Sequence, residues 1–281
     1  MSASSHALAA PTLGEARATT RRVARTFALA CRMLPGAVRD DVYMLYLVFR
    51  TLDDLVDERR DDAAARVAAV EAWARGEPPA HGAPTPEVAI LDRMAARHPL
   101  PRWAFADFCA GMRADVAGEA PADEAEVDRY CYRVAGTVGV VMSRVLGARD
   151  QARADAAAVT LGQAMQRTNI LRDIDEDAAG GRVYVAEGTL RRFGGPAALA
   201  PGARDALLRD QIARADALYR LAIPEIAQLR RGRRAIASAA AMYREILRQI
   251  EREGYGARAG RAVVPRGRRL VLAARAGALL R

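Results

Sequence analysis

Apolar residues recur three or four positions apart over most of the chain, and no run alternates apolar and polar residues as a half-buried strand would. That period predicts helices over about 15–34, 38–59, 61–75, 101–119, 124–148, 151–178, 203–231, 233–253 and 266–280. The breaks fall where backbone chemistry demands them: Leu34-Pro35-Gly36, the Gly- and Pro-rich run from Gly76 to Pro86, and Gly180-Gly181. Residues 182–196 read as a loop with one short helical turn. Residues 1–14, small and polar with Pro11 and Gly14, read as disordered, leaving 15–281 as a single all-α domain. There is no internal repeat and no glycine-rich dinucleotide fingerprint after a strand.

The helix over 38–59 is apolar nearly all round, through Leu45, Val48, Phe49, Leu52, Leu55 and Val56, except along one stripe. Tyr43, Tyr46, Arg50, Asp53, Asp54 and Asp57 fall on that stripe, because they recur three or four positions apart. A carboxylate row on a buried helix is costly unless it is paired or metal-bound. A second stripe, Gln166, Asn169, Asp173 and Asp177, repeats the device beside Ile170, Leu171 and Ile174. Hard oxygen donors of this kind suit Mg²⁺ (or Mn²⁺), completed by phosphate oxygens of a substrate. Arg50 and Arg172 are placed to bind the same phosphates with forked hydrogen bonds. One acidic pair on a helix is ordinarily a solvated face. Two stripes, each with an arginine and a polar amide or tyrosine, point to a diphosphate–metal site.

Between the stripes lies Tyr130-Cys-Tyr-Arg-Val-Ala-Gly-Thr-Val-Gly-Val-Val-Met142, where Ala135, Gly136 and Gly139 leave a helix face almost without side chains. Glycine inside a helix costs up to about 1 kcal/mol relative to alanine, so two of them ask for a reason. Close helix packing is one. The other is room for a long apolar ligand, with Val134 and Val138 as walls and Tyr130 at its polar end. Phe27 similarly reads either as core or as pocket lining.

Composition narrows the chemistry. The chain is 51% hydrophobic with 5% aromatics and contains no lysine, so all 43 basic residues are arginine. Schiff-base and phosphate-loop lysines are thereby excluded. Cys31, Cys109 and Cys131 are too scattered for a disulfide framework or a zinc site, and a reducing cytoplasm is the expected location. His81 and His98 sit in loops without metal-ligand spacing and read as solvated. No apolar stretch of about 18 residues occurs, so no membrane span is expected. The net charge of +9 is concentrated late: beyond Glu253 there is no acid, while Arg258, Arg261, Arg266, Arg268, Arg269, Arg275 and Arg281 punctuate an apolar run. This end is either a solvated helix or a peripheral contact with anionic lipid on the inner membrane face. Nucleic acid is not an expected partner, because no recognition module or interleaved aromatic set accompanies the arginines.

With these residues in view, the chain resembles the squalene/phytoene synthase family. The likeness runs through Arg25-Thr-Phe27, Met33-Leu-Pro35, Asp53-Asp-Leu-Val-Asp57, Tyr130 to Gly139, Asn169-Ile-Leu-Arg-Asp-Ile-Asp-Glu-Asp177 and Gly181-Arg-Val-Tyr184. The resemblance implies an α-helical isoprenoid-synthase bundle around a central cavity, and Mg²⁺-dependent head-to-head joining of two prenyl diphosphates through a cyclopropylcarbinyl diphosphate. By that likeness Asp53, Asp57, Asn169, Asp173 and Asp177, with Asp54 beside them, hold metal, while Tyr46, Arg50, Gln166 and Arg172 orient diphosphate. Phe27, Tyr130, Val134, Ala135, Val138 and Gly139 line the cavity. By the same resemblance Arg167, Asp175, Ala186 and Val263 depart from the family pattern, in which an apolar residue is usual at the first, glycine common at the second, proline usual at the third and tyrosine found in some members at the fourth.

The Tyr130–Gly139 run looks most like bacterial phytoene synthases, implying two geranylgeranyl diphosphates and a C40 product. Arg172-Asp-Ile-Asp-Glu-Asp177 also looks like hopanoid squalene-pathway members, which implies a C30 alternative from farnesyl diphosphate: squalene, presqualene diphosphate or dehydrosqualene. A class I cyclase acting on one prenyl diphosphate would use the same metal chemistry. A non-catalytic helical protein binding lipid or nucleic acid through its basic end is the reading outside enzymology. Oligomeric state has no signature in the sequence.

Overall fold

The structure, a computed structural model, describes residues 11–78, 84–118 and 120–275. Residues 1–10, His81 and the end of the last predicted helix, including Arg281, lie outside them. The helices are α1 (Leu13–Val23), α2 (Arg25–Cys31), α3 (Gly36–Asp57), α4 (Ala63–Arg75), α5 (Pro86–Ala95), α6 (Arg102–Ala117) and α7 (Glu124–Cys131). They continue as α8 (Thr137–Leu146), α9 (Gln151–Arg172), α10 (Ile174–Ala179), α11 (Glu187–Arg192), α12 (Asp205–Glu225), α13 (Arg233–Arg252) and α14 (Arg266–Arg275). Among the described residues there is no strand, only an isolated bridge between Ala148 and Leu229.

Several boundaries differ from the sequence reading, each for a local reason. Order begins before residue 15. Thr12 accepts a hydrogen bond from the Glu15 N–H at 3.2 Å while Glu15 accepts from the Thr12 N–H at 2.6 Å, a capping box that starts α1 at Leu13. The predicted helix over 15–34 is interrupted at Ala24, whose φ of −128° and ψ of 60° separate α1 from α2. The helix over 124–148 contains a π-helical turn, Tyr132–Gly136, between α7 and α8. The helix over 151–178 breaks at Asp173, with φ −104° and ψ 11°, which separates α9 from α10.

The core forms around α3, whose Leu45, Val48 and Leu52 are fully buried. Phe49 stacks on Phe105 at 5.3 Å and meets Phe108 edge-on at 4.9 Å, and Trp73 stands edge-on to Phe105 at 5.3 Å. Asp41 is buried on the same helix and draws in two partners, Arg97 and His98, each at 2.7 Å. His98 is therefore not the solvated loop residue its neighbours suggest. All three cysteines are buried and free, and burial pushes each thiol up to about 12, which removes them as nucleophiles.

Helices α8 and α9 touch backbone to backbone. A Cβ at Gly139 would lie 2.5 Å from the Ala158 carbonyl oxygen, and one at Gly162 2.5 Å from that of Ala135. Gly139 thus serves close packing and also lines the interior cavity beside Val134 and Val138, while Gly136 faces Tyr132 and Val159. Arg167, where an apolar residue was the family expectation, is 4% exposed and binds Asp128, Glu124 and Gln211. It ties α7, α9 and α12 together at the back of the acidic stripe.

Candidate active site

The two acidic stripes meet at the mouth of a cavity. Because α3 runs with its apolar faces buried, its polar stripe has one outlet, and there Tyr46, Arg50, Asp53 and Asp57 line the mouth. Across it, α9 contributes Gln166, Asn169 and Arg172, and Asp173 with Glu176 and Asp177 of α10 borders the same opening. Below lies a mostly apolar cavity lined by Phe27, Phe49, Phe108, Val134, Ala135, Val138 and Gly139, and further down by Leu146, Ala154, Ala157, Ala158 and Leu161, with Ser143 and Glu225 as polar exceptions. Tyr46, Arg50, Asp53, Tyr130, Gln166, Asn169 and Tyr243 belong to both, forming the collar between polar mouth and dry interior. Phe27 packs on Tyr46 with ring centroids 4.7 Å apart, both rings bordering the cavity.

Arginines hold most of the carboxylates. Arg50 donates to Asp53 at 2.8 Å and to Asp54 from its other terminal nitrogen. Asp54 lines neither the mouth nor the cavity, and its carboxylate pairs with Arg50. Arg182 binds Asp57, Arg172 chelates Asp173 at 2.8 and 2.5 Å, and Arg261 reaches Asp173 at 3.0 Å.

Crowding of like charges in a part-buried cleft shifts the acids. Burial, then the charge of Asp57, pushes Asp53 up to about 7, against the pull of Arg50. Burial, then Asp173, pushes Asp177 up to about 7 as well. Asp115, on α6, is raised by burial to about 6, although hydroxyl donors oppose this. Tyr184 donates to it at 3.2 Å and Tyr130 at 3.5 Å, their rings stacked 4.9 Å apart.

Asp115, Arg182, Tyr184, Tyr243 and Arg261 were not among the residues the sequence singled out for the site. Asp115 shares α6 with one other acid, Asp107, which binds Tyr132 and does not line the mouth, so only the packing of α6 against the loop after α10 reveals Asp115. Tyr184 and Arg182 lie in a motif that carried the family likeness without a role.

Two unpartnered buried atoms state what the mouth lacks. Asn169 Oδ1, an acceptor, and Arg50 Nε, a donor, are both buried without a hydrogen-bond partner. Among the described residues no three Asp, Glu, His or Cys side chains converge as a ready-made metal cluster. The donor set still fits a hard divalent cation: carboxylates from α3 and α10 flank the orphaned amide oxygen of Asn169 across one opening. The orphaned guanidinium N–H suits an anion, as a diphosphate would supply.

An all-helical bundle enclosing a dry cavity beneath an acidic, arginine-rich mouth defines an isoprenoid synthase. The chain matches the family model described as squalene/phytoene synthase over residues 20–268. It is 38% identical over 238 residues to a phytoene synthase of Thermus thermophilus, covering 82% of this chain and 80% of that one. It is 36% identical over 200 residues to a presqualene diphosphate synthase of Zymomonas mobilis, covering 69% and 68%. A crystal structure of a dehydrosqualene synthase in complex with ligand superposes with a TM-score of 0.84 at 27% identity, covering 95% of both chains. The protein belongs to the squalene/phytoene synthase family.

Proposed function

We propose that the protein joins two molecules of geranylgeranyl diphosphate head to head, with Mg²⁺ (or Mn²⁺), to give phytoene. The observation that carries the C20 choice is the depth of the cavity. From Asn169 at the collar to Ala154 at the far end, the lining follows α9 for just over four turns, about 22 Å at 5.4 Å a turn. At about 1.2 Å per bond of extended chain, a C20 tail needs roughly 18 Å and a C15 tail roughly 13 Å.

The chain's own residues divide the work. Asp53, Asp57, Asn169, Asp173 and Asp177 would hold the cation, which when bound supplies positive charge against the leaving diphosphate. Arg50 presents its free Nε–H, and Arg172, Arg182 and Arg261 border the same opening as further donors for diphosphate oxygens. Gln166 accepts from the Asn169 amide at 3.1 Å, which turns Asn169 Oδ1 toward the mouth. The Tyr130–Tyr184 pair is fastened to Asp115, and this fixes aromatic faces at the collar beside a developing allylic cation. Phe27, Phe49 and Phe108 with the α8 and α9 walls exclude the water that would quench it.

A C30 product from farnesyl diphosphate is the second reading, favoured by the 36% identity to a presqualene diphosphate synthase. We also propose contact with an anionic lipid surface through α14, where Leu270 and Val271 are exposed among Arg266, Arg268 and Arg275. Among the described residues no helix is long and apolar enough to cross a membrane.

The test is incubation of the purified protein with Mg²⁺ and each prenyl diphosphate in turn, with mass spectrometry of the organic extract. A C40 hydrocarbon is expected. A C30 product would transfer the assignment to the squalene side, and a cyclic C15 or C20 product would overturn the condensation.

A further inference from the structure

The segment between α13 and α14, residues 254–264, lies beside the mouth and carries Arg261, whose Nε is 3.0 Å from Asp173. What holds this segment there is a charge pair outside the acidic cluster. Arg204, at the start of α12, is 3% exposed and places its fork on both oxygens of Asp175 at 2.8 Å. Its remaining N–H groups go to three carbonyl oxygens: Gly256 at 3.3 Å, Arg258 at 3.2 Å and Leu199 at 3.3 Å. All five guanidinium donors are therefore used, two of them on the backbone of the segment itself. Asp175 Oδ2 also accepts the N–H of Gly260 at 2.7 Å. Gly256 has φ +76°, and a Cβ there would run into the Arg204 guanidinium, so the segment is moulded around it.

The spacing gives the arrangement its meaning. Asp175 follows Asp173 by two residues on one strand of the contact, and Gly260 precedes Arg261 by one on the other. The hydrogen bond between Asp175 and Gly260 thus fixes the register in which Arg261 faces Asp173.

We propose that Asp175 is a positioning residue: by binding Arg204 and the Gly260 N–H together, it holds the 254–264 segment so that Arg261 is presented to the diphosphate. This rests on the prenyl diphosphate reading of the mouth. In this reading Arg261 meets the terminal phosphate, away from the C–O bond on whose oxygen charge develops, so loss of its placement mainly weakens binding and changes the chemical step little.

The experiment is a double-mutant cycle of Asp175→Asn and Arg261→Ala, read two ways: KM and kcat for prenyl diphosphate, and calorimetric affinity for inorganic pyrophosphate with Mg²⁺. Asp175→Asn turns an N–H donor toward Gly260 or gives up half the Arg204 fork. It is expected to raise KM and the pyrophosphate Kd about tenfold, with kcat within about threefold. In the Arg261→Ala background it is expected to add nothing further. Gly260→Ala, which meets no atom within 4 Å but is strained at φ +110°, disturbs the register while leaving the Asp175–Arg204 pair in place, and is expected to give the same KM rise. Additive losses in the double mutant, or a fall in kcat at unchanged KM and pyrophosphate affinity, would overturn the assignment. If the wild-type protein turns over no prenyl diphosphate, the proposed function fails, and the pyrophosphate affinities still decide the role of Asp175.

Discussion

Replacing Ala158's neighbour on the cavity face, Ala157→Phe, tests whether a C20 tail lies along α9. Ala157 lines the cavity about 18 Å below Asn169, at 1.5 Å per residue, where the last isoprene unit of a C20 tail would sit and a C15 tail would not reach. Side chains on one helix lean the same way, so the spacing of backbone levels carries over to the cavity. A phenyl ring there denies burial to about five carbons; at about 0.8 kcal/mol each, the loss is about 4 kcal/mol. At about 1.4 kcal/mol per factor of ten this approaches a thousandfold, and some bending of the tail makes a hundred- to thousandfold fall in kcat/KM the expected range. The assay is diphosphate release from geranylgeranyl and from farnesyl diphosphate by the same preparation, with Tm recorded because overpacking alone costs about 1–3 kcal/mol. The expected result is a collapse with the C20 substrate and a change of less than about threefold with the C15 substrate. Equal losses with both would refute the placement of the tail.

Asp53→Ala and Asp173→Ala are each expected to abolish turnover while circular dichroism retains the helical signal; unchanged product yield from either would remove that residue from the site. Asp53 and Asp177, raised to about 7 from 3.8, bind more protons folded than unfolded between about pH 4 and pH 7. Their contribution to metal-free stability therefore falls as pH rises across that window, and Mg²⁺ affinity rises through it. Thermal shift with and without Mg²⁺ at pH 5.5 and 8 should show the larger metal effect at pH 8. Gly162→Ala, which puts a Cβ 2.5 Å from the Ala135 carbonyl oxygen and 2.7 Å from Gly136 Cα, should cost about 3 kcal/mol. Calorimetry should then show a Tm lowered by roughly 6–10 °C.

The helical period alone brought Asp53, Asp57, Asn169, Asp173 and Asp177 onto two stripes, because a turn of 3.6 residues is a local property that sequence records directly. Where those stripes end up depends on events that local pattern does not encode. The break at Asp173 and the π-helical turn at Tyr132–Gly136 are not visible as proline or glycine stops, since both helices keep their apolar faces through them. His98 was read as solvated because its neighbours are loop-formers, whereas its burial follows from Asp41, far away in the chain. Asp115, Tyr243 and Arg261 reach the collar and mouth only through the packing of α6, α13 and the segment after it. The two helical glycines were ambiguous from sequence because a missing side chain serves a neighbouring helix and a ligand equally well.

The close approach of the helices that carry them sets the mechanical character of the cavity. With Gly139 against the Ala158 carbonyl and Gly162 against that of Ala135, the backbones meet directly at two points, and Ser143 and Arg144 bind Asp155 across the far end, so α8 and α9 behave as a single rigid plate. The opposite wall is made of side chains such as Phe27, Ile236 and Tyr243, which have rotatable bonds. Any adjustment to a folding, cationic chain must come from that softer side, while the plate acts as the template against which the chain takes its shape.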